Sequence, residues 1–308
     1  MASKHFQPAA IKPKVGRAWQ LYLMVLPAVV YFILFQYKPM YGIVLAFKKY
    51  KAALGIMGSP WVGMRNFTRL FSSYWFPVII GNTLTLSVLG LVLGFPLPIL
   101  LALSLNEVKN SAYRKLVQTV TYAPHFISMV VMCGIVRLFL SPEYGIVNAA
   151  IRALGGTPIF FMQKGNLFKW IYVISGIWQN AGWNSVIYFA ALSAVDPLLL
   201  EAAQIDGANR FQRILHVNLP TILPTVVILL IMNCGSLLSV GYEKVFLLQT
   251  DANISSSEVI STYVYKYGLV NNDYGFSTAV GLFNSVVNSI LLILVNTVAR
   301  RIGETSLW

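Results

Sequence analysis

The chain has 308 residues, of which 57% are hydrophobic and only 11% charged, and its mean hydropathy is +0.67. Soluble domains carry roughly 25% charged residues, so this composition excludes an ordinary soluble protein and points to the membrane. A net charge of +13 invites a nucleic-acid reading. However, no basic stripe with interleaved aromatics lies in a soluble segment large enough to fold, so no nucleic-acid partner is expected.

A bilayer span needs about 20 mostly apolar residues. Such stretches run from Trp19 to Tyr37, Val78 to Leu105, Val117 to Leu140, Phe168 to Ala194, Val217 to Val240 and Ser277 to Val298. They predict an all-α membrane protein of six transmembrane helices. The opening "MASKHFQPAAIKPKVGRAWQLYLMVLPAVVYFILFQ" sets a basic region before an apolar one, as a signal peptide does. Its apolar run is too long and no small-residue cleavage site comes after it, so it is expected to stay as the first span. Residues 1–77 then hold a cytoplasmic tail, this span and a first extracellular loop, and residues 78–308 form the transmembrane core.

Basic residues cluster in the tail (Lys4, Lys12, Lys14, Arg17), the second loop (Lys109, Arg114, Lys115), the fourth (Arg210, Arg213) and the C-terminus (Arg300, Arg301). By density this places both termini in the cytoplasm, although Lys48, Lys49, Lys51, Arg65 and Arg69 make the first loop basic as well. All ten acidic residues, from Glu107 to Glu304, lie in loops or at span ends. An ion-coupled transporter is expected to keep a carboxylate near the midplane, so secondary transport is disfavoured. Arg137 is the one charge well inside a predicted span, near its outer end, where snorkelling explains it. His125, after Pro124, either lines a path or bonds a backbone group freed by the proline. Cys133 and Cys234 fall within spans without a close partner and read as small packing residues.

Neutral polar residues are distributed differently. Asn82 lies in span two, Trp178, Asn180, Trp183, Asn184 and Tyr188 in span four, Asn233 in span five, and Asn284 and Asn288 in span six. Asn180, Asn184 and Tyr188 share a helix face by i, i+4 spacing, as do Asn284 and Asn288. Amides donate and accept, and aromatic rings stack on apolar sugar faces, so this set suits a hydroxyl-rich solute. Asn as interhelical glue is the competing explanation. Trp178, Asn180, Trp183, Asn184, Tyr188, Asn233, Asn284 and Asn288 are the candidate solute path. Walker, G-x-S-x-G and H-E-x-x-H motifs are missing and the three histidines are scattered, so the chain is not expected to be an enzyme or to hold a metal.

Between spans four and five lies "SAVDPLLLEAAQIDGANRFQRILHVNLP". Asp196 can cap a helix whose first residue is Pro197. Ala202 and Ala203 form helix with little bulk, Gly207 permits a sharp turn, and Asp206 can cap the next helix. That second helix, from about Ala208 and amphipathic through Phe211, Ile214 and Leu215, should lead into span five past Pro220 and Pro224.

Glu201, Ala202, Ala203, Gly207, Val217, Leu219 and Pro220 resemble the EAA signature of permease subunits of binding-protein-dependent ABC importers, with Val217 where Ile is usual. The likeness covers roughly Val78 to the C-terminus. The segments "LPAVVYFILFQYKPMYGIVLAFKKY" and "SPWVGMRNFTRLF" resemble more loosely the maltose-type sugar permeases, in the branch serving complex or polysaccharide-derived oligosaccharides. The resemblance implies a type I ABC importer permease fold in a bacterial cell membrane. It makes residues 195–220 a coupling loop, with Glu201, Ala202, Ala203, Asp206, Gly207 and Ala208 docking into a cytoplasmic ATPase. It also implies a second homologous permease subunit, two ATPase subunits that hold ATP and Mg, an extracellular solute-binding lipoprotein and an oligosaccharide solute. No cofactor is expected in this chain. A peptide or amino-acid importer remains open because the signature does not name the solute. A charged solute would need buried countercharge, which the predicted spans lack; for an acidic sugar it could come from His125 or from Lys or Arg of the partner permease. The loop after span five is expected outside, where Tyr263, Tyr265 and Tyr267 either meet the binding protein or sit as interfacial tyrosines.

Overall fold

In the computed structural model, which describes residues 19–303 and 306–307, the regular elements are helical. A single bridge between Lys48 and Trp61 is the nearest approach to a strand among the described residues. Lys4, His5, Lys12, Lys14, Arg17 and Glu304 lie outside the described residues. Along the chain run α1 (Trp19–Phe47), α2 (Arg65–Phe71), α3 (Trp75–Asn106), α4 (Ser111–Phe126), α5 (Met129–Phe139), α6 (Ile146–Ala153), α7 (Gly165–Leu192), α8 (Pro197–Ile205), α9 (Arg210–Gly235), α10 (Tyr242–Leu248), α11 (Ile254–Ser257), α12 (Ile260–Tyr265) and α13 (Tyr274–Arg301).

α1, α3, α9 and α13 are each long and apolar enough to cross a membrane, and the bent pairs α4–α5 and α7–α8 bring the number to six. The third span is not the continuous rod expected from Val117 to Leu140: α4 and α5 meet at 101°. Pro124 has no N–H to continue the α-helical ladder, and Ser128 starts the next helix by accepting from the Val131 N–H. The first span is also longer than expected, continuing past Tyr37 to Phe47. In α9 a π-turn at Ile214–Asn218 precedes Pro220. The wider turn relieves the clash that a proline ring makes with the carbonyl four residues earlier.

α7 is the central element, packed against α3, α4 and α9. Tyr188 and Leu192 at its C-terminal end join Ala102, Leu103 and Ile222 in one apolar cluster. Phe168 at its other end joins Leu86, Met132, Cys133, Val245 and Leu248 in a second. A third cluster sets Leu70, Ile79, Leu238, Ile260, Tyr263, Phe276 and Val280 between α2, α3, α12 and α13. Cys133 is buried in the core, and both cysteines are free thiols, in line with a packing role. By contrast, no side chain of Trp19–Phe32, the first half of α1, is buried within the chain.

The segment between α9 and α13 forms three short helices rather than an irregular loop. Buried Asn253 donates to the Met162 carbonyl and accepts from Ser257 and the Thr250 N–H, while Glu258 pairs with Lys266. Tyr263 is 4% exposed and stacks with Tyr267. It belongs to the core, which removes it from the binding-protein contact, one of the two alternatives for this residue.

Candidate functional site

Two features stand out, one inside the bundle and one at the end where α7 meets α8. Inside, a cavity of about 1080 Å³ opens between α3, α7, the end of α9 and the start of α10. Asn180, Trp183, Asn184, Tyr188 and Asn233, all from the candidate solute path, line it. On α7 the first four follow from helical spacing, which turns residues 180, 184 and 188 to one side. Trp178, Asn284 and Asn288 do not line it. Trp178 is 48% exposed because two residues along a helix is more than half a turn from Asn180. Asn288 accepts from the Leu238 N–H at 3.0 Å and donates to Ser239 at 2.9 Å, so it ties α13 to the chain leaving α9. Asn284 has a buried side-chain oxygen with no hydrogen-bond partner. Asn82 likewise serves as glue, donating to the Ser255 and Glu258 carbonyls.

The cavity polar groups are held in place. The Asn180 amide donates to the Gly176 carbonyl at 3.0 Å, and its oxygen lies 3.1 Å from Nδ1 of His125, which as an N–H donates to it. The His125 ring in turn lies on Trp183, with centroids 4.8 Å apart and planes within 2°. The structure thus connects His125 to the cavity wall through two lining residues. Gln179 holds the α4–α5 corner by donating to the Ile127 carbonyl. Its side-chain oxygen is buried without a partner.

Sequence reasoning missed the start of α10, because Tyr242, Glu243 and Lys244 lie outside the apolar stretches and read as loop. All three line the cavity. Lys244 is 5% exposed, and its ammonium donates to the Tyr172 carbonyl at 2.6 Å and lies 4.5 Å over the Tyr172 ring. Burial pushes its pKa down from the usual lysine value to about 8. The cavity therefore holds a buried positive charge, which the apolar stretches of the sequence do not reveal. Arg137 donates to the Leu247 carbonyl, which fixes α5 to α10.

At its C-terminal end α7 gives way to α8 through an 80° bend. Asp196 accepts from the Leu198 N–H at 2.9 Å and Pro197 takes the first helical position. The helix stops in a Schellman arrangement: Gly207 N–H bonds to Gln204 and Ala208 N–H to Ala203. The left-handed φ of +79° falls on Gly207. Asp206 therefore closes α8, and it is Asn209 that caps α9, in a reciprocal capping box with Gln212. Ile205 is 87% and Phe211 71% exposed, beside exposed Glu201 and Ala202. Ala203, Asp206, Gly207, Ala208, Gln212, Arg213, His216 and Val217 line a cleft of about 290 Å³. Arg213 pairs with Glu107 at 2.9 Å, and Asn218 also donates to Glu107, so the loop is tied to the end of α3. Among the described residues no group of three or more His, Cys, Asp or Glu forms a metal site.

Residues 94–304 match the family model described as binding-protein-dependent transport system inner membrane component. The chain is 44% identical over 288 residues to the polygalacturonan/rhamnogalacturonan transport system permease protein YteP of Bacillus subtilis (strain 168), covering 94% of this chain and 90% of that one. It is 40% identical over 288 residues to protein LplB of the same organism, covering 94% and 91%. The crystal structure of a bacterial ABC transporter involved in import of the acidic polysaccharide alginate contains a chain 44% identical, with TM-score 0.87, covering 94% of this chain and 97% of that one. A second structure, of a bacterial alginate ABC transporter with its pentasaccharide-bound periplasmic protein, matches at 43% identity and TM-score 0.87, covering 95% and 98%.

Proposed function

Because the chain belongs to the family of binding-protein-dependent transport system inner membrane components, we propose that it forms one half of the membrane path of an ABC importer for oligosaccharides cut from acidic polysaccharides. The observation that carries this reading is the cavity, where the amides Asn180, Asn184 and Asn233 alternate with the aromatic rings of Trp183, Tyr188 and Tyr242. Amides match the hydroxyls of a sugar chain and rings match its apolar faces. The acidic polysaccharides in the names of the two relatives, one bacterial permease and one solved transporter, support the substrate class. Those sugar relatives also weigh against a peptide or amino-acid solute.

The transport subunit does no chemistry on ATP. Hydrolysis belongs to a separate pair of cytoplasmic ATPase subunits that bind ATP and Mg. The contact surface is α8 and its turn, with Glu201, Ala202, Ala203, Asp206, Gly207 and Ala208. Support comes from the projection of this segment beyond the bundle with its apolar side chains exposed, and from its anchoring to α3 through Arg213 and Glu107. The other half of the path is a second, homologous permease, and the unburied face of α1 leaves surface for it and for lipid. A solute-binding lipoprotein outside a bacterial cell membrane delivers the sugar, and both termini lie in the cytoplasm. The test is uptake of labelled oligogalacturonides into proteoliposomes holding the full complex and binding protein. ATP-dependent uptake is expected, and uptake that proceeds without ATP or fails for every oligosaccharide offered would overturn the proposal.

A further inference from the structure

We propose that Lys244 is the site in the cavity that receives a uronate carboxylate, and that Gly176 exists in this position to leave room for it. The inference rests on the acidic-oligosaccharide reading above and adds the group that recognises the acid. Lys244 and Glu243 are the charged residues among those lining the cavity, and they differ in setting. Glu243 is exposed at the rim, whereas Lys244 is buried. Charge in water is screened, and charge in a low-dielectric wall is not, so the field within the cavity beside α7 is dominated by the ammonium.

That ammonium has no carboxylate partner. The three ion pairs among the described residues join Arg69 to Asp273, Arg213 to Glu107 and Lys266 to Glu258. Lys244 has one carbonyl and one ring face, both from Tyr172, while an ammonium has three donors. The nearby charged and ionisable groups on neighbouring elements, Cys133 and Arg137 of α5, do not supply a permanent negative charge. A buried cation without a counterion is costly to keep, and an arriving anionic solute offsets that cost. The absence of a side chain at Gly176 lets the ammonium sit against α7: a Cβ there would lie 2.9 Å from the Lys244 Nζ. One turn farther along the same face of α7 stands Asn180, fixed by its bond to the Gly176 carbonyl, followed by Asn184 and Tyr188. A carboxylate at Lys244 would therefore set the end of a sugar chain whose hydroxyls run down this row.

A purely structural lysine, clamping α10 to α7 through Tyr172, would affect every solute alike. The experiment separates the two roles by measuring equilibrium binding of a labelled trigalacturonate, and of the same trisaccharide with its carboxyls reduced to alcohols, to the assembled permease–ATPase complex in nanodiscs. Wild type should prefer the acid. Lys244→Met should lower the acid-to-neutral preference by about tenfold or more, and Gly176→Ala, which keeps the charge but displaces it, should lower the same ratio by less. No acid preference in wild type, or a preference unchanged in Lys244→Met, would overturn the assignment. Uptake of trigalacturonate by the wild-type complex with its binding protein reports separately on the importer reading, since that can succeed while the Lys244 assignment fails.

Discussion

The α8 loop and the α10 wall of the cavity are encoded in opposite ways. Around α8 every needed group is contiguous: the cap Asp196, Pro197, the small pair Ala202 and Ala203, and the turn at Gly207 fall within one short segment. The α10 wall is composite, since Lys244 acquires its setting from Tyr172 and Gly176 far away in sequence. Contiguous machinery can be recognised in a sequence, whereas composite machinery appears only after the elements pack.

Substitutions sharpen this contrast. The largest effect inside the cavity is expected at Trp183, whose ring supports His125 and lines the cavity. Trp183→Ala should lower oligosaccharide uptake by about tenfold or more, since aromatic contacts carry a large share of binding energy; near wild-type uptake in proteoliposomes would remove this wall from the path. Glu107→Gln weakens the mostly buried ion pair with Arg213 and should reduce binding-protein-stimulated ATPase several-fold while basal hydrolysis persists. Equal loss of both activities would mean that the pair serves assembly instead of coupling. Asn288→Leu leaves the Leu238 N–H without its acceptor and should destabilise the subunit by about 1–3 kcal/mol. Thermal unfolding reads this as a lowered Tm with unchanged solute preference. Trp178→Ala should do least, with uptake within about twofold of wild type, because surface changes away from special features are mild. A large loss there would place the solute path on another face of α7.

The spans and the α8 loop are legible in the sequence because apolar length and capping chemistry act locally. Four cavity-lining residues on α7 are legible by helix periodicity, but Asn284 and Asn288 have the same kind of spacing on α13 and face protein instead of the cavity. Spacing identifies a shared face without saying what covers it. The break at Pro124 is hidden because apolarity runs on across it, and the loss of a backbone donor is invisible to hydropathy. Lys244 is hidden for the inverse reason: a charge outside an apolar run reads as solvated, although α10 folds it back among the spans. Tyr263 misleads in the same way, since an aromatic in a loop reads as exposed when the α12 packing buries it.

The most direct test of the account is ATPase activity of the reconstituted complex, stimulated by loaded binding protein, with wild type compared to Gly207→Asp. The position has open space around it but a left-handed φ, so the substitution alters the α8 turn without pushing into the core. Loss of stimulated hydrolysis and of uptake in an assembled complex is the predicted result. Stimulation and uptake at wild-type levels would contradict coupling through this loop.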